Sequence, residues 1–358
     1  MKLSNLFSIF KRKKDKKYYK PDQENVLVTG GAGFIGSHLC QRLLQDGKKV
    51  ICMDSLEGGR DVRNIKTLLQ KPNFKFIKQD ITKKFDFSDF PELKDLKLDI
   101  YGIQKVYHLA LPTSVKNFDD LKLQTLYTNS LGTINMLELA KHYGAKFLLA
   151  SSFVIYGPRA EHPFKESDPG SVNTVANQSC FDEGKRFAET AVATYKQQFR
   201  DLDAKIARIF RTYGPKQPLF DGQMIPDFGI QALTNKPLII YGDKNFSTSI
   251  CYISDVIDGI VKLMRSEEPG PVNIGSDKVY NLAALAKKII EMTGSKSSIE
   301  FREPLPFMRP LGIPDINLAK ETLDWFPITD LEKGLTSLIE YLKAHRTLLD
   351  PMTNQYDE

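Results

Sequence analysis

Hydrophobic and polar positions along residues 26–210 follow two periods, one typical of buried strands and one typical of amphipathic helices. Short apolar runs predict strands at 26–29, 49–53, 74–78, 105–109, 146–150 and 205–210. Apolar residues three or four positions apart predict helices at 37–45, about 121–142 and 181–198. Strands that alternate with helices form a mostly parallel sheet covered on both faces. The sequence therefore predicts an α/β fold with a doubly wound parallel sheet.

The pattern changes after residue 213, where prolines interrupt shorter elements and one last helix is predicted from about 331 to 345. This part is typical of a smaller lobe that covers a ligand cleft. We therefore divide the chain into four segments, at 1–23 (a basic tail), 24–212 (the large domain, with some later segments), 213–346 (mainly the small lobe) and 347–358 (a C-terminal tail).

The first predicted strand runs into a glycine-rich turn and then into a helix. Gly30, Gly33 and Gly36 have the spacing G-x-x-G-x-x-G. The first glycine permits a tight turn, the second lets the backbone approach a diphosphate, and the third lets helix and strand pack closely. The helix that follows the turn directs unpaired N–H groups at the anion. The stretch predicts a dinucleotide site; the alternative is an ordinary strand–turn–helix corner without a ligand.

The second predicted strand ends in an acid, Asp54. A carboxylate at this place accepts hydrogen bonds from an adenosine ribose and repels a 2′-phosphate, so the sequence favours NAD over NADP. Ligands of a parallel sheet bind beyond the carboxyl ends of its strands. The other residues expected at that edge are Asp80-Ile81, His108-Leu109-Ala110 and Ser151-Ser152.

The formal net charge of +6 is concentrated at the N-terminus. Residues 1–20 contain eight Lys and Arg beside one Asp, so the rest of the chain is close to neutral and does not indicate a nucleic-acid surface. The four cysteines form no C-x-x-C pair, which favours buried thiols in a reducing, cytoplasmic compartment. No apolar run approaches the roughly 20 residues of a membrane-spanning helix, and we expect no metal site.

The basic run of residues 1–20 follows a short apolar segment, an order that argues against a secretory signal. One interpretation is a peripheral anchor on an anionic membrane surface, where apolar and basic side chains both contribute to binding. A disordered solubilising tail and an organelle-targeting peptide are the alternatives.

Further motifs accompany the glycine turn. On the cofactor side they are Asp54 with Gly59, Arg60 and Asn64, then Asp80-Ile81 and the segments 107–110 and 129–135. Elsewhere they are the segments 179–189, 208–215, 241–242, 252–255 and 314–325. Over about residues 24–345 the chain resembles the extended short-chain dehydrogenase/reductases that act on nucleotide sugars, and UDP-glucuronate decarboxylases in particular.

The resemblance implies a Rossmann-type fold, NAD as cofactor and a nucleotide sugar, in particular a UDP-linked one, as substrate. It also implies a tyrosine, with a lysine four residues later, that removes a proton from a sugar hydroxyl while hydride moves to the nicotinamide. Lys185 and Ser152 occupy the lysine and hydroxyl positions, but the tyrosine position is Phe181. The implied cofactor contacts are Gly30, Gly33, Phe34, Ile35, Gly36, Asp54, Arg60, Asp80, Ile81, Leu109, Ala110 and Lys185.

The chain departs from the decarboxylase pattern mainly on the sugar side. Phe153 and Val154 stand where the family has a hydroxyl and a carboxylate, and Arg211 stands where it has an asparagine. Basic residues are replaced by Ser249 and Gly312. The resemblance leaves Arg211 and Tyr241 as the substrate contacts.

These departures leave two functions open. The chain is either a nucleotide-sugar-modifying enzyme with impaired turnover, or a catalytically silent NAD-bound partner of an active relative. Arg211 could supply the missing arginine charge, and the apolar residues could line a site for a less polar sugar. Tyr156 and His108 are the alternative proton acceptors, although their positions favour structural roles. Family members pair through helices that correspond to 121–142 and 181–198, which implies a homodimer or a heterodimer.

Overall fold

The computed structural model describes residue 18 and residues 22–57, 61–114, 117–158, 163–242, 244–303 and 312–345. Nearly all of the basic segment, Arg60 and the C-terminal tail lie outside these ranges. The predictions made for them therefore stay predictions.

The strands in chain order are β1 (Asn25–Thr29), β2 (Lys49–Asp54), β3 (Phe74–Lys78), β4 (Lys105–His108), β5 (Lys146–Ser152), β6 (Ala204–Ile209), β7 (Thr212–Tyr213), β8 (Leu238–Tyr241), β9 (Ser247–Ser249), β10 (Cys251–Tyr252), β11 (Val272–Ile274), β12 (Val279–Asn281) and β13 (Ile299–Arg302). The helices are α1 (Phe34–Gln45), α2 (Leu98–Tyr101), α3 (Lys122–Tyr127), α4 (Thr133–Tyr143), α5 (Ser179–Gln198), α6 (Met224–Leu233), α7 (Ile253–Arg265), α8 (Leu282–Thr293), α9 (Asn317–Leu323) and α10 (Leu331–Ala344).

Seven parallel strands form the main sheet in the order β3, β2, β1, β4, β5, β6, β11. The doubly wound α/β fold is therefore confirmed. All six predicted strands are present, and β11 is an additional short strand at the edge. The strand order reverses between β1 and β4, which is where ligands of such sheets bind.

The two faces of the sheet bury different sets of helices because side chains alternate along each strand. Val26 and Val28 of β1 belong to an apolar core shared with α1 and α7. Leu27, between them, belongs to the core on the opposite face, which α4 and α5 complete. Both faces of the sheet are thus packed against helices, so the strand ends are held on rigid elements.

The helix predicted at about 121–142 is present as continuous helical backbone from Lys122 to Tyr143, but it is not a uniform α-helix. The structure has α3 and α4 separated by a π-helical segment, Thr128–Gly132. A Cβ atom on Gly132 would lie 2.6 Å from Cδ1 of Ile81, and one on Gly184 would lie 2.6 Å from Nδ2 of Asn129. A π turn contains one extra residue, which lets the helix pass between these two close contacts.

The later part of the chain has its own apolar core, formed by α6, α8, α10 and the β8–β13 pair. The core includes Ile225, Leu285 and Leu338. Segments that lie between these elements in sequence, among them α7 and β11, return to the main sheet. Within the described residues, no helix is both long and apolar enough to cross a membrane.

Candidate active site

A groove of about 370 Å³ opens at the carboxyl ends of the central strands. We call one end of it the cofactor half, lined by Gly30, Gly33, Phe34, Ile35, Gly36, Asp54, Asp80, Ile81, Leu109, Ala110 and Lys185. We call the other end the sugar half, lined by Leu111, Pro112, Thr113, Phe153, Phe181, Ile209, Phe210, Arg211, Thr212, Gln217, Pro218 and Gln223. Apart from Arg60, every cofactor contact predicted from the sequence lines the cofactor half.

The glycine turn is a backbone cradle that side chains would fill. Gly30 has φ of +69°, and a Cβ atom there would lie 2.8 Å from the backbone of Ala110. A Cβ atom on Gly36 would lie 2.1 Å from the carbonyl oxygen of Gly30. Gly33 caps α1 with extended backbone and no side-chain cap. The first amides of α1 therefore face the groove, as a bound diphosphate requires.

The two acids of the cofactor half are held by backbone amides. The carboxylate of Asp54 accepts hydrogen bonds from the amides of Ala32 and Leu56, both at 3.0 Å. Asp80 accepts from the amide of Thr82 at 2.8 Å. Each carboxylate keeps lone pairs for ribose or adenine groups, because an ionised carboxylate offers about four acceptor sites. The residues of this half fit a dinucleotide.

Phe181 and Lys185 lie four residues apart on α5, and both line the groove together with Ser152. The ammonium of Lys185 donates to the carbonyl oxygen of Ala150 at 2.7 Å. Burial lowers the pKa of Lys185 to about 8, and the opposing effect of Glu189 is smaller. The structure thus brings the three predicted catalytic positions to one place, with a phenyl ring where the resemblance implies a phenol.

Neither alternative proton acceptor is available. The Tyr156 hydroxyl is buried, donates to Oδ1 of Asn273 at 2.7 Å and accepts from Arg208 at 3.0 Å, and burial raises its pKa. The His108 ring is buried between the hydroxyls of Thr29 and Thr133, and burial lowers its pKa to about 3. Among the described residues, the groove lining contains no Tyr, His or Cys.

A buried ion pair fixes α5 against the sheet behind the groove. Arg208 of β6 and Glu189 of α5 are 2.8 Å apart, and both side chains are largely buried. Glu189 also accepts a hydrogen bond from the hydroxyl of Ser151 at 2.5 Å. Since Glu189 lies one helical turn after Lys185, its contacts with Arg208 and Ser151 also fix the distance between Lys185 and β5.

The sugar half is mostly apolar, and its sequence departures pack together. Phe153 stacks on Phe210 with ring centroids 5.5 Å apart. A Cβ atom on Gly312 would lie 3.1 Å from Phe153 and 2.7 Å from Phe164. Ser249 is buried, and its hydroxyl donates to the carbonyl oxygen of Ser276 at 2.5 Å. The large ring of Phe153 and the absence of a side chain at Gly312 are therefore complementary in size. The side chains of the sugar half pack around these substitutions.

Two polar groups of the sugar half lack partners among the described residues. No hydrogen bond or ion pair joins the Arg211 guanidinium to another described residue, and its nearest ring is Phe153, with Cζ 5.9 Å from the ring centroid. Oε1 of buried Gln217 also has no hydrogen-bond partner there. Burial lowers the pKa of Arg211 to about 10.

Two results differ from the substrate contacts implied by the resemblance. Tyr241 ends β8, pairs with Arg302 of β13 and does not line the groove. Sequence reasoning missed Gln217 and Gln223, which do line it. Gln217 follows the Tyr-Gly-Pro of the 208–215 motif by two residues, and that spacing was the signal available in the sequence.

The model of the NAD dependent epimerase/dehydratase family matches residues 26–275. Among curated proteins, UDP-glucuronic acid decarboxylase 1 from Xenopus tropicalis is 36% identical over 335 residues, covering 94% of this chain and 75% of the relative.

Two solved structures of an enzyme from Bacillus cereus have the same fold. UDP-glucuronic acid 4-epimerase in complex with UDP-glucuronic acid and NAD is 28% identical, with a TM-score of 0.77 and coverage of 90% of this chain and 99% of that one. A tyrosine-to-phenylalanine mutant of that epimerase, in complex with UDP-4-deoxy-4-fluoro-glucuronic acid and NAD, has 28% identity, a TM-score of 0.76 and the same coverage.

Proposed function

Because the chain belongs to the NAD dependent epimerase/dehydratase family, we propose that it binds a UDP-linked sugar next to NAD and is a decarboxylase-like enzyme with impaired proton transfer. The observation that carries this proposal is the groove itself. It is continuous from the glycine turn, past Lys185, to the unpartnered guanidinium of Arg211.

NAD is the cofactor of this family, and when bound it supplies a hydride acceptor and donor. Backbone amides at the start of α1 hold the diphosphate, and Asp54 accepts from the adenosine ribose. Lys185, fixed by the carbonyl of Ala150, is placed to hold the second ribose. Each of these groups binds or orients the cofactor, and none of them has to take a proton from the sugar.

Proton transfer is the step for which the described groove lining lacks the tyrosine that the family uses. A phenyl ring at position 181 packs as a tyrosine does but cannot exchange a proton. General acid–base catalysis contributes about 10²–10⁴-fold to a rate, so we expect turnover to be lower by that order. Binding need not be lost with turnover, since the epimerase mutant described above carries both a UDP-sugar analogue and NAD.

A catalytically silent partner of an active relative is the second candidate function. It is favoured by the absence of Tyr, His and Cys from the described groove lining. Pairing is supported by exposed apolar side chains on α3, on the π-helical segment and on α5, namely Leu123, Leu126, Tyr127, Leu131 and Phe187. We propose that this surface forms a homodimer or a heterodimer, which sedimentation velocity would detect.

Two further predictions from the sequence remain proposals, namely the four-segment division of the chain and a cytoplasmic location. Binding of residues 1–20 to an anionic membrane surface rests on their basic charge alone. Vesicle sedimentation of the full chain, with and without those residues, tests it.

Calorimetric titration of UDP-glucuronate into the NAD-loaded protein separates the two candidate functions. The enzyme-like function predicts saturable binding that UDP competes with. Retention of NAD without measurable affinity for UDP-glucuronate or UDP would overturn it and favour the silent partner.

A further inference from the structure

Arg211 is a cation placed in an apolar wall without an anion. It follows β6 directly, and its backbone is fixed because its carbonyl oxygen accepts a hydrogen bond from the amide of Cys251 at 2.9 Å. The side chain lines the sugar half beside the stacked rings of Phe153 and Phe210. Buried charges in proteins are usually paired, because leaving water is costly.

The other arginine at this end of β6 shows what pairing looks like. Arg208 donates to both carboxylate oxygens of Glu189, to the Tyr156 hydroxyl and to the carbonyl oxygen of Glu166. Arg211 makes no such bond to a described residue, and burial is the cause of its lowered pKa, without a contribution from a neighbouring acid. The two arginines are three residues apart in sequence, yet only Arg208 is used to hold the fold together.

The second unsatisfied group lies close by. Nε2 of Gln217 donates to the carbonyl oxygen of Thr212, the neighbour of Arg211, at 3.4 Å, while its Oε1 is buried without a described partner. A buried acceptor without a donor costs about 1–3 kcal/mol, so such groups usually mark a ligand or water position. Arg211 and Gln217 thus belong to the same wall of the groove, and Gln217 holds a buried acceptor there.

We infer that Arg211 binds an anionic oxygen group of the nucleotide sugar, with Gln217 accepting a hydrogen bond from the same ligand. This inference rests on the proposed function. The planar guanidinium suits a diphosphate or a carboxylate, each of which it can grip with two parallel hydrogen bonds. The Phe153 ring lies within cation–π range of the guanidinium, with Cζ 5.9 Å from the ring centroid. The apolar surroundings strengthen the charge–charge attraction.

The test compares wild-type protein with Arg211→Gln, Arg211→Lys and a matched control, Arg265→Gln. Arg265 is half-exposed at the end of α7, where it pairs with Asp46. UDP, UDP-glucose and UDP-glucuronate are titrated into each NAD-loaded protein by calorimetry. Arg211→Gln should weaken binding about tenfold or more, since hydrogen bonds to charged groups are the strong ones. Arg265→Gln should bind all three probes as wild type does.

The probes identify the anion. If Arg211 binds the diphosphate, Arg211→Gln weakens UDP, UDP-glucose and UDP-glucuronate by the same factor. If it binds the sugar carboxylate, only UDP-glucuronate weakens. Arg211→Lys should recover part of the affinity, because it keeps the charge but loses the fork.

A structural role would give a different pattern. If Arg211 held the fold together, its removal would lower the melting temperature and the NAD affinity, both of which we expect to be unchanged or higher. Wild-type affinity of Arg211→Gln for all three probes would overturn the inference and leave the proposed function standing. Failure of the wild-type protein to bind any of the probes would overturn both.

Discussion

In the cofactor half of the groove, the charged groups that face the dinucleotide already have protein partners. Asp54 and Asp80 accept backbone amides, and Lys185 donates to a carbonyl oxygen. In the sugar half, the Arg211 guanidinium and Oε1 of Gln217 have no hydrogen-bond partner among the described residues. The first half is preorganised around a ligand common to the family, while the second carries polar groups that are left for a ligand or water to satisfy.

The difference shows that loss of a catalytic group and loss of a binding site are separate events. In the sugar half, Phe153 and Phe181 stand where the resemblance implies polar side chains, but Arg211 adds a guanidinium where it implies an asparagine. A site that was merely decaying would have no reason to keep a half-buried cation without an anionic partner among the described residues, because removing a charge from water is costly.

The largest effect is expected from Gly36→Ala in the cofactor half. The new Cβ atom would lie 2.1 Å from the carbonyl oxygen of Gly30, so the backbone of the turn must move. We expect a loss of about 3 kcal/mol or more in the free energy of unfolding and no measurable NAD binding. Denaturant unfolding and calorimetry check this.

Gly47→Ala is the matched control for that change. Nothing lies within 4 Å of its Cβ position, and only its φ of +73° opposes the substitution. It should cost about 1 kcal/mol and leave NAD affinity unchanged. Equal losses of unfolding free energy and of NAD affinity in the two variants would mean that the close contact at Gly36 does not cause the effect.

Asp54→Ala is expected to weaken NAD binding about tenfold or more, because it removes the ribose acceptor and releases the amides of Ala32 and Leu56. UDP affinity should stay as in wild type, since the two halves bind different groups. Calorimetry with NAD and with UDP measures both. Unchanged NAD affinity would contradict the cofactor assignment of Asp54.

A smaller effect, with a pH signature, is expected from Asp227→Asn beside the sugar half. Burial, followed by repulsion from Asp221, raises the pKa of Asp227 to about 7 from an ordinary value of 3.8. Between these values the folded state holds the proton and the unfolded state does not, so wild-type stability falls as pH rises toward 7. Asparagine does not titrate, so the variant should be the more stable by about 1 kcal/mol or more at pH 8.

Denaturant unfolding of both proteins at pH 5 and pH 8 tests whether this difference in stability depends on pH. The advantage of Asp227→Asn should shrink at pH 5, where the aspartate is protonated in the folded state. A difference that is the same at both pH values would show that Asp227 does not titrate in this range.

Most of the sheet and the cofactor half could be predicted because each depends on local sequence. The glycine spacing fixes the turn, and alternating apolar residues fix strands such as β1. The π-helical segment between α3 and α4 could not be predicted, because it depends on Gly132 meeting Ile81, which lies beyond the end of β3. Motif likeness suggested Tyr241, but only tertiary packing decides that Gln217 reaches the groove instead.

The most direct test of impaired proton transfer at Phe181 is product analysis after the protein and its Phe181→Tyr variant are each incubated with NAD⁺ and UDP-glucuronate. We expect the wild-type protein to form product about 10²-fold or more slowly than the variant, because the added phenol lies on the face of α5 that carries Lys185. Equal rates for the two proteins, whether both convert the sugar or neither does, would contradict the claim that position 181 limits turnover.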